Sequence, residues 1–295
     1  MMPFADPVRP VYATGRVLSN DGTTIGYRYL GKGPAIVILH GGMQASQHFM
    51  KLATALSDEF SVYVPDRRGR GLSGPHGSNY SMAKECQDVR ALLDKTGARL
   101  VFGLSSGALI SMQLALTEPA VRRVALYEPP LPISGSSPSS KEWLPRFDRE
   151  IAEGKLVAAL VTGLRGIKIS PLFSALPRFV SVLLLTLGLR SEGKVDGHDV
   201  TVKTLVPTLR FDVQLVAEME ETMPTFRDMT AEVLLLGGTK SPAYLQQILD
   251  TLSATIPHSK RIQFSGLGHS GPDNSGNPDL VAKELRHFFR ESRRE

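Results

Sequence analysis

Cysteine is nearly absent: Cys86 is the only one in 295 residues. No disulfide can close within the chain, which fits a reducing compartment. Cys86 falls inside a helical pattern and reads as a small core residue rather than a nucleophile. Long apolar runs are missing too. The longest, Phe179 to Leu189, is too short to span a bilayer. The opening stretch MMPFADPVRP has no apolar core of the kind a signal peptide needs, so the expected location is the cytoplasm. Strong charge of one sign is also lacking. The formal net charge is +5, and much of the excess sits near the C-terminus on Arg286, Arg290, Arg293 and Arg294. That cluster reads as a solvated helix end, so neither nucleic acid nor membrane is an expected partner. No internal repeat and no low-complexity tract is present. An apolar fraction of 42% is enough for a sizeable core in a soluble globular protein.

What is present is an alternation. GRVLSNDGTTIGYRYLG reads as two strands around an Asn20-Asp21-Gly22 turn. AIVILHGG, FSVYVPDRRGRG, RLVFGLSSG, VRRVALYEPP, AEVLLLGG and KRIQFSGLGH are short apolar runs that each end in a loop. Helical patterns lie between them: Ser46 to Asp58, Met82 to Lys95, one starting at Ser106, and Asp279 to Glu291 led by Pro278. Strands alternating with helices specify a mostly parallel sheet covered on both faces. Between about Leu131 and Phe226 the alternation stops. A Ser/Pro-rich stretch, PISGSSPSSKEW, reads as a linker into apolar helical segments. The expected organisation is a sheet domain in two parts, 1–132 and 227–295, with a helical lid over 133–226.

The carboxyl ends of the strands carry the chemistry, as open parallel sheets require. Gly103-Leu104-Ser105-Ser106-Gly107 fits the G-x-S-x-G pattern directly after a strand and before a helix. Such a turn is too tight for side chains at the glycine positions, and it thrusts Ser105 out as a nucleophile. The N–H of Ser106, at the helix start, can hold an oxyanion. His40-Gly41-Gly42 opens another loop, whose bare backbone can give the second donor from Gly42 or Met43; His40 itself reads as structural. His269, in the glycine-rich loop after the last strand, is the natural base for Ser105. The other histidines (His48, His76, His198, His258, His287) read as surface residues.

Taken together, HGG at His40, PDRRGRGLS from Pro65 to Ser73, GLSSG at Gly103 and GLGH ending at His269 resemble the α/β-hydrolase superfamily over essentially the whole chain. The resemblance implies an α/β fold, with a mostly parallel eight-stranded sheet flanked by helices and a helical lid. It also implies a Ser-acid-His triad and no cofactor or metal. In the common version of the family the acid follows the strand of VLLLGG, but Ser241 stands at that position. A serine cannot carry the charge that stabilises an imidazolium. Some members, certain haloalkane dehalogenases and the zearalenone lactonases among them, carry the acid at the end of the preceding strand, and here that residue is Glu128. Asp273, Asp212 and Asp66 are its rivals. Asp66 belongs to PDRRG and reads as a residue fixing loop geometry, and Asp273 as part of a mobile loop.

A serine at 105 disfavours the aspartate-nucleophile dehalogenases and epoxide hydrolases. GLSSGA with YEPP looks distantly like the zearalenone lactonases, a hint about triad layout rather than substrate. The apolar lid, with Leu156, Val157, Leu160, Val161 and Leu164 continuing through Phe173, Leu176, Phe179, Val182 and Leu185, leads to an apolar substrate, with Met43, Trp143 and Phe179 as pocket candidates. The leading expectation is a serine hydrolase of apolar esters or lactones. The same triad could cleave C–C bonds, perhydrolyse or split cyanohydrins, and a receptor with little turnover is the non-enzymatic alternative.

Overall fold

Branched apolar runs closed by glycine, proline or a polar loop build the sheet. The computed structural model describes residues 11–133, 140, 142–169, 175–190, 192, 195 and 197–290. Its strands are β1 (Ala13–Leu18), β2 (Thr24–Leu30), β3 (Ala35–Leu39), β4 (Ser61–Pro65), β5 (Leu100–Leu104), β6 (Arg123–Tyr127), β7 (Glu232–Gly238) and β8 (Ser259–Phe264). They form one sheet in the order β1-β2-β4-β3-β5-β6-β7-β8. β1 and β2 form the expected hairpin, with Leu18 opposite Thr24, and β2 runs antiparallel to β4. All the remaining pairings are parallel. The fold is therefore an α/β-hydrolase fold.

Parallel strands need crossovers, and the helices supply them. They are α1 (Met50–Leu56), α2 (Met82–Thr96), α3 (Ser106–Thr117), α4 (Leu144–Ala152), α5 (Leu156–Gly166), α6 (Arg178–Arg190), α7 (Val202–Leu205), α8 (Leu209–Glu218), α9 (Ala243–Thr255) and α10 (Pro278–Arg290). The helix expected over Ser46 to Asp58 is split into a 3-10 turn, Ser46–Phe49, and α1. α2 starts at Ser81, whose side chain accepts the Lys84 N–H, and stops at Gly97 in the left-handed conformation.

Period-two alternation divides the strand side chains between two cores. Val37, Leu39, Val101, Val124, Leu126, Val233 and Leu235 pack on one face with α2, α3 and α9. Ile36, Ile38, Phe102, Ala125, Tyr127, Leu234 and Leu236 pack on the other with α1 and α10. A Leu235→Ala change in the first of these cores would cost about 2–5 kcal/mol. Cys86 lies buried in the first core, as expected, and burial pushes its thiol up to about 12.

Between Tyr127 and Glu232 the described residues contain helices and loops and no strand. We call 133–226, the insertion proposed from the sequence, the cap. Its own core joins Phe147, Ala159, Leu160, Val206, Leu209 and Val213. Phe179 does not take the pocket position expected of it. Phe179 is 74% exposed, on a face of α6 that also shows Leu183, Leu184 and Leu187 to solvent. The apolar run there is helical; Leu185 and Leu189 pack against the cap core, and the face with Phe179 turns to solvent. Phe173, Arg293, Arg294 and most of the Ser/Pro-rich linker lie outside the described residues.

Candidate active site

The turn between β5 and α3 is built by exclusion. A Cβ on Gly103 would meet the Gly107 carbonyl at 2.4 Å, and one on Gly107 would meet the His40 carbonyl at 2.5 Å. Ser105, between them, takes φ 55° and ψ −122°, a strained conformation for a residue with a side chain. The strain is not confined to Ser105. Met43 (φ 52°) and Glu128 (φ 48°) are also in the left-handed region, so the loops after β3, β5 and β6 each hold one residue there. These loops meet at one sheet edge, where backbone strain is paid for by the surrounding packing.

Glu128 is fully buried just past β6. Its Oε2 accepts the His269 Nδ1–H at 2.7 Å, and its Oε1 accepts the Gly238 N–H at 2.8 Å. The glycines of VLLLGG make this possible. A Cβ on Gly237 would come within 3.1 Å of Glu128 Oε1, and one on Gly238 would strike the Leu267 carbonyl at 2.2 Å. The tightest contact at Gly237 is with Leu249, at 2.6 Å, so the double glycine clears a helix side chain and the His269 loop as well as Glu128. The His269 loop is held from below by Tyr127, whose hydroxyl donates to the Gly268 carbonyl at 2.8 Å.

The rival carboxylates are committed elsewhere. Asp66 accepts the Ser46 and Leu72 N–H groups at 2.7 and 2.9 Å and fixes loop geometry, as its motif implies. Asp273 accepts from Gln44 Nε2 at 2.9 Å and from the Ser275 N–H and hydroxyl. It is buried and bonded, so its loop is anchored rather than loose. Gln44 also accepts the Gly41 N–H at 2.9 Å, which ties the HGG loop to the His269 loop. Asp212 belongs to a buried ion network with Arg67 and Arg70.

His40 is structural, as expected. The Arg67 N–H donates to its Nε2 at 3.1 Å, leaving Nδ1–H for the Gly41 carbonyl at 3.0 Å. Burial, with Arg70 and Arg67 close by, holds its pKa well below 6.5. Two histidines expected at the surface are half-buried instead. His48 Nδ1 accepts the Ala45 N–H at 3.1 Å, and His76 stacks on Phe211 with ring centres 3.6 Å apart.

A cavity of about 530 Å³ lies between sheet edge and cap, lined by Ser105, Ser106, Gly42, Met43 and His269 from the core. Trp143, Leu164, Ile167, Leu209 and Val213 line it from the cap side and make it largely apolar. Ser105 and His269 thus share one chamber, Met43 and Trp143 are in its wall as expected, and Phe179 is not. Gly42 offers its N–H with no protein acceptor among the described residues, and the N–H of Ser106 opens α3, where helices have no internal acceptor. Among the described residues no group of three or more His, Cys, Asp or Glu is placed to hold a metal ion. No helix of the described residues is long and apolar enough to cross a membrane.

Such an arrangement suits acyl transfer: a hydroxyl on a strained turn, an imidazole with an oriented carboxylate, and free N–H donors. Comparison with known proteins gives the family. Residues 36–284 match the family described as "Alpha/beta hydrolase family". A cis-3-alkyl-4-alkyloxetan-2-one decarboxylase of Shewanella oneidensis is 24% identical over 93% of this chain and 88% of its own. A 2-(acetamidomethylene)succinate hydrolase of Mesorhizobium japonicum is 24% identical over 90% of this chain and 91% of its own. A solved alpha/beta hydrolase from Sphaerobacter thermophilus superposes with a TM-score of 0.76 at 26% identity, covering 93% of this chain and all of that one.

Proposed function

Since the chain belongs to the alpha/beta hydrolase family, we propose that it is a serine hydrolase of apolar carboxylic esters or lactones, working through an acyl-enzyme. Ser105 Oγ attacks the carbonyl carbon while its proton passes to His269 Nε2. Glu128 holds the Nδ1–H, fixing the tautomer and stabilising the imidazolium that forms. The N–H groups of Gly42 and Ser106 take the oxyanion. Collapse expels the alkoxide, which His269 protonates; water, deprotonated by His269, then releases the acid and restores Ser105.

The observation that carries this reading is the buried Glu128 carboxylate 2.7 Å from His269 Nδ1, in a loop set whose cavity also contains Ser105. The apolar lining supports an apolar acyl or alkyl group over a sugar or a multiply charged acid. A relative named as a decarboxylase of an oxetan-2-one, a four-membered lactone ring, supports a lactone as a ligand of such a cavity, though not its hydrolysis. The test is a fluorophosphonate probe on wild type and Ser105→Ala, beside turnover of chromogenic esters and lactones. Labelling and turnover that both vanish in Ser105→Ala are expected. A wild type that neither labels nor turns over any of them, while an apolar ligand raises its Tm, would move the reading to a receptor.

A further inference from the structure

We propose that Asp212, a cap residue, is a positioning residue for the oxyanion site. This inference rests on the serine-hydrolase reading and deepens it. The two N–H donors come from different loops, Gly42 after β3 and Ser106 after β5; the strands are paired as far as Leu39 and Gly103, and each donor stands three residues beyond that last pair. Asp212, in the first turn of α8, bonds to the Ser106 side chain and fills the space into which a Cβ on Gly42 would project. Its Oδ1 accepts the Ser106 hydroxyl at 2.7 Å. A Cβ on Gly42 would lie 3.2 Å from its carboxylate.

Two arginines complete the link. Arg67 Nη1 donates to Ser106 Oγ at 3.0 Å and to Asp212 Oδ1 at 2.8 Å, so the Ser106 hydroxyl has both its roles used. Arg70 Nη2 donates to Asp212 Oδ2 at 2.6 Å while its Nη1 donates to the Gly41 carbonyl at 3.2 Å. A continuous chain of charge-assisted bonds therefore runs from the Gly41-Gly42 peptide through Arg70 and Asp212 to Ser106. A lone carboxylate beside a developing oxyanion would repel it. Here Arg67 and Arg70 offset that charge, so Asp212 can supply geometry without an electrostatic cost to the transition state.

Ser106→Ala removes the link but keeps the N–H and leaves no charge unpaired; Asp212→Asn keeps the shape and removes the charge. The measurements are kcat, KM and the affinity for an alkylboronic acid, which forms a tetrahedral adduct on Ser105, beside the affinity for a non-reactive ketone of the same size. We expect kcat and boronate affinity to fall together, about tenfold in Ser106→Ala and about a hundredfold in Asp212→Asn, with ketone affinity unchanged. The double variant should be no worse than Asp212→Asn alone. A folded Ser106→Ala with wild-type kcat and boronate affinity overturns the proposal, as does a loss shared equally by boronate and ketone. A wild type that neither turns over nor binds the boronate sinks the serine-hydrolase reading itself, a different result from either.

Discussion

Two carboxylates are buried at the same edge of the sheet, and they are treated in opposite ways. Asp212 faces two arginines and a hydroxyl. Burial alone would raise its pKa, but Arg70 and then Arg67 outweigh that and hold it below 3.8. Glu128 has one backbone N–H and one imidazole, and no permanent cation. A carboxylate saturated with fixed positive charge has nothing left to give when a neighbour changes charge. One paired only with a neutral imidazole gains most at the moment that imidazole takes a proton. In the proposed mechanism the contrast separates a group that holds geometry from a group that responds.

The sharpest way to test that contrast is on rate. Glu128→Gln keeps the shape and the Gly238 bond but cannot stabilise the imidazolium, so kcat should drop roughly 10³–10⁴-fold with the fold intact by circular dichroism. A drop of less than tenfold would mean that the responsive carboxylate is another one. On stability the order should reverse. Asp212→Ala leaves Arg70 without a carboxylate in the interior, although Arg67 keeps Glu85, and breaking a buried network of this kind costs about 3–5 kcal/mol in urea unfolding. If Glu128→Gln costs as much, the two sites are not different in kind.

The network also gives the protein an acid limb. His40 is held well below 6.5 and His76 at about 4, first by burial and then by the charge of Arg70. Both stay neutral in the folded state while the unfolded chain takes up protons below about pH 6.5. The unfolded state then binds more protons, so the stability they contribute is full above about pH 6.5 and is lost as the pH falls toward 4. Asp212 and Glu85 are both held below their ordinary values, Glu85 mainly by Arg67 against the effect of its burial. They add a second loss as the pH drops below about 4. His76→Phe, which keeps the stack on Phe211, should flatten the first slope in urea midpoints taken between pH 7 and pH 4.5. An unchanged slope would assign it to other groups.

How much of this could be read beforehand follows from how local each signal is. The elbow at Ser105 and the strand ends were legible because the glycines are dictated by contacts within a few residues. Glu128 was legible only by elimination, from the serine at 241. The role of Asp212 was not legible. It lies 106 residues from its Ser106 partner and 145 from Arg67, and nothing in the amphipathic pattern of α8 shows which face meets the core. Phe179 failed for a related reason: the helical period shows that an apolar stripe exists and not which way it turns.

The smallest expected effect bears on the same comparison from the empty position. Ser241 stands where the family's acid commonly sits; it is 7% exposed, and its hydroxyl has no partner among the described residues. A buried hydroxyl without a partner gains nothing from folding and has lost its water. Removing it leaves no other group orphaned. Ser241→Ala should therefore keep kcat/KM within about twofold and leave stability unchanged or raised by up to about 1 kcal/mol. A tenfold loss of rate would show that the loop after β7 still acts on His269. Glu128 would then share the responsive role with a second strand end, and the division between the two buried carboxylates would no longer account for the rate.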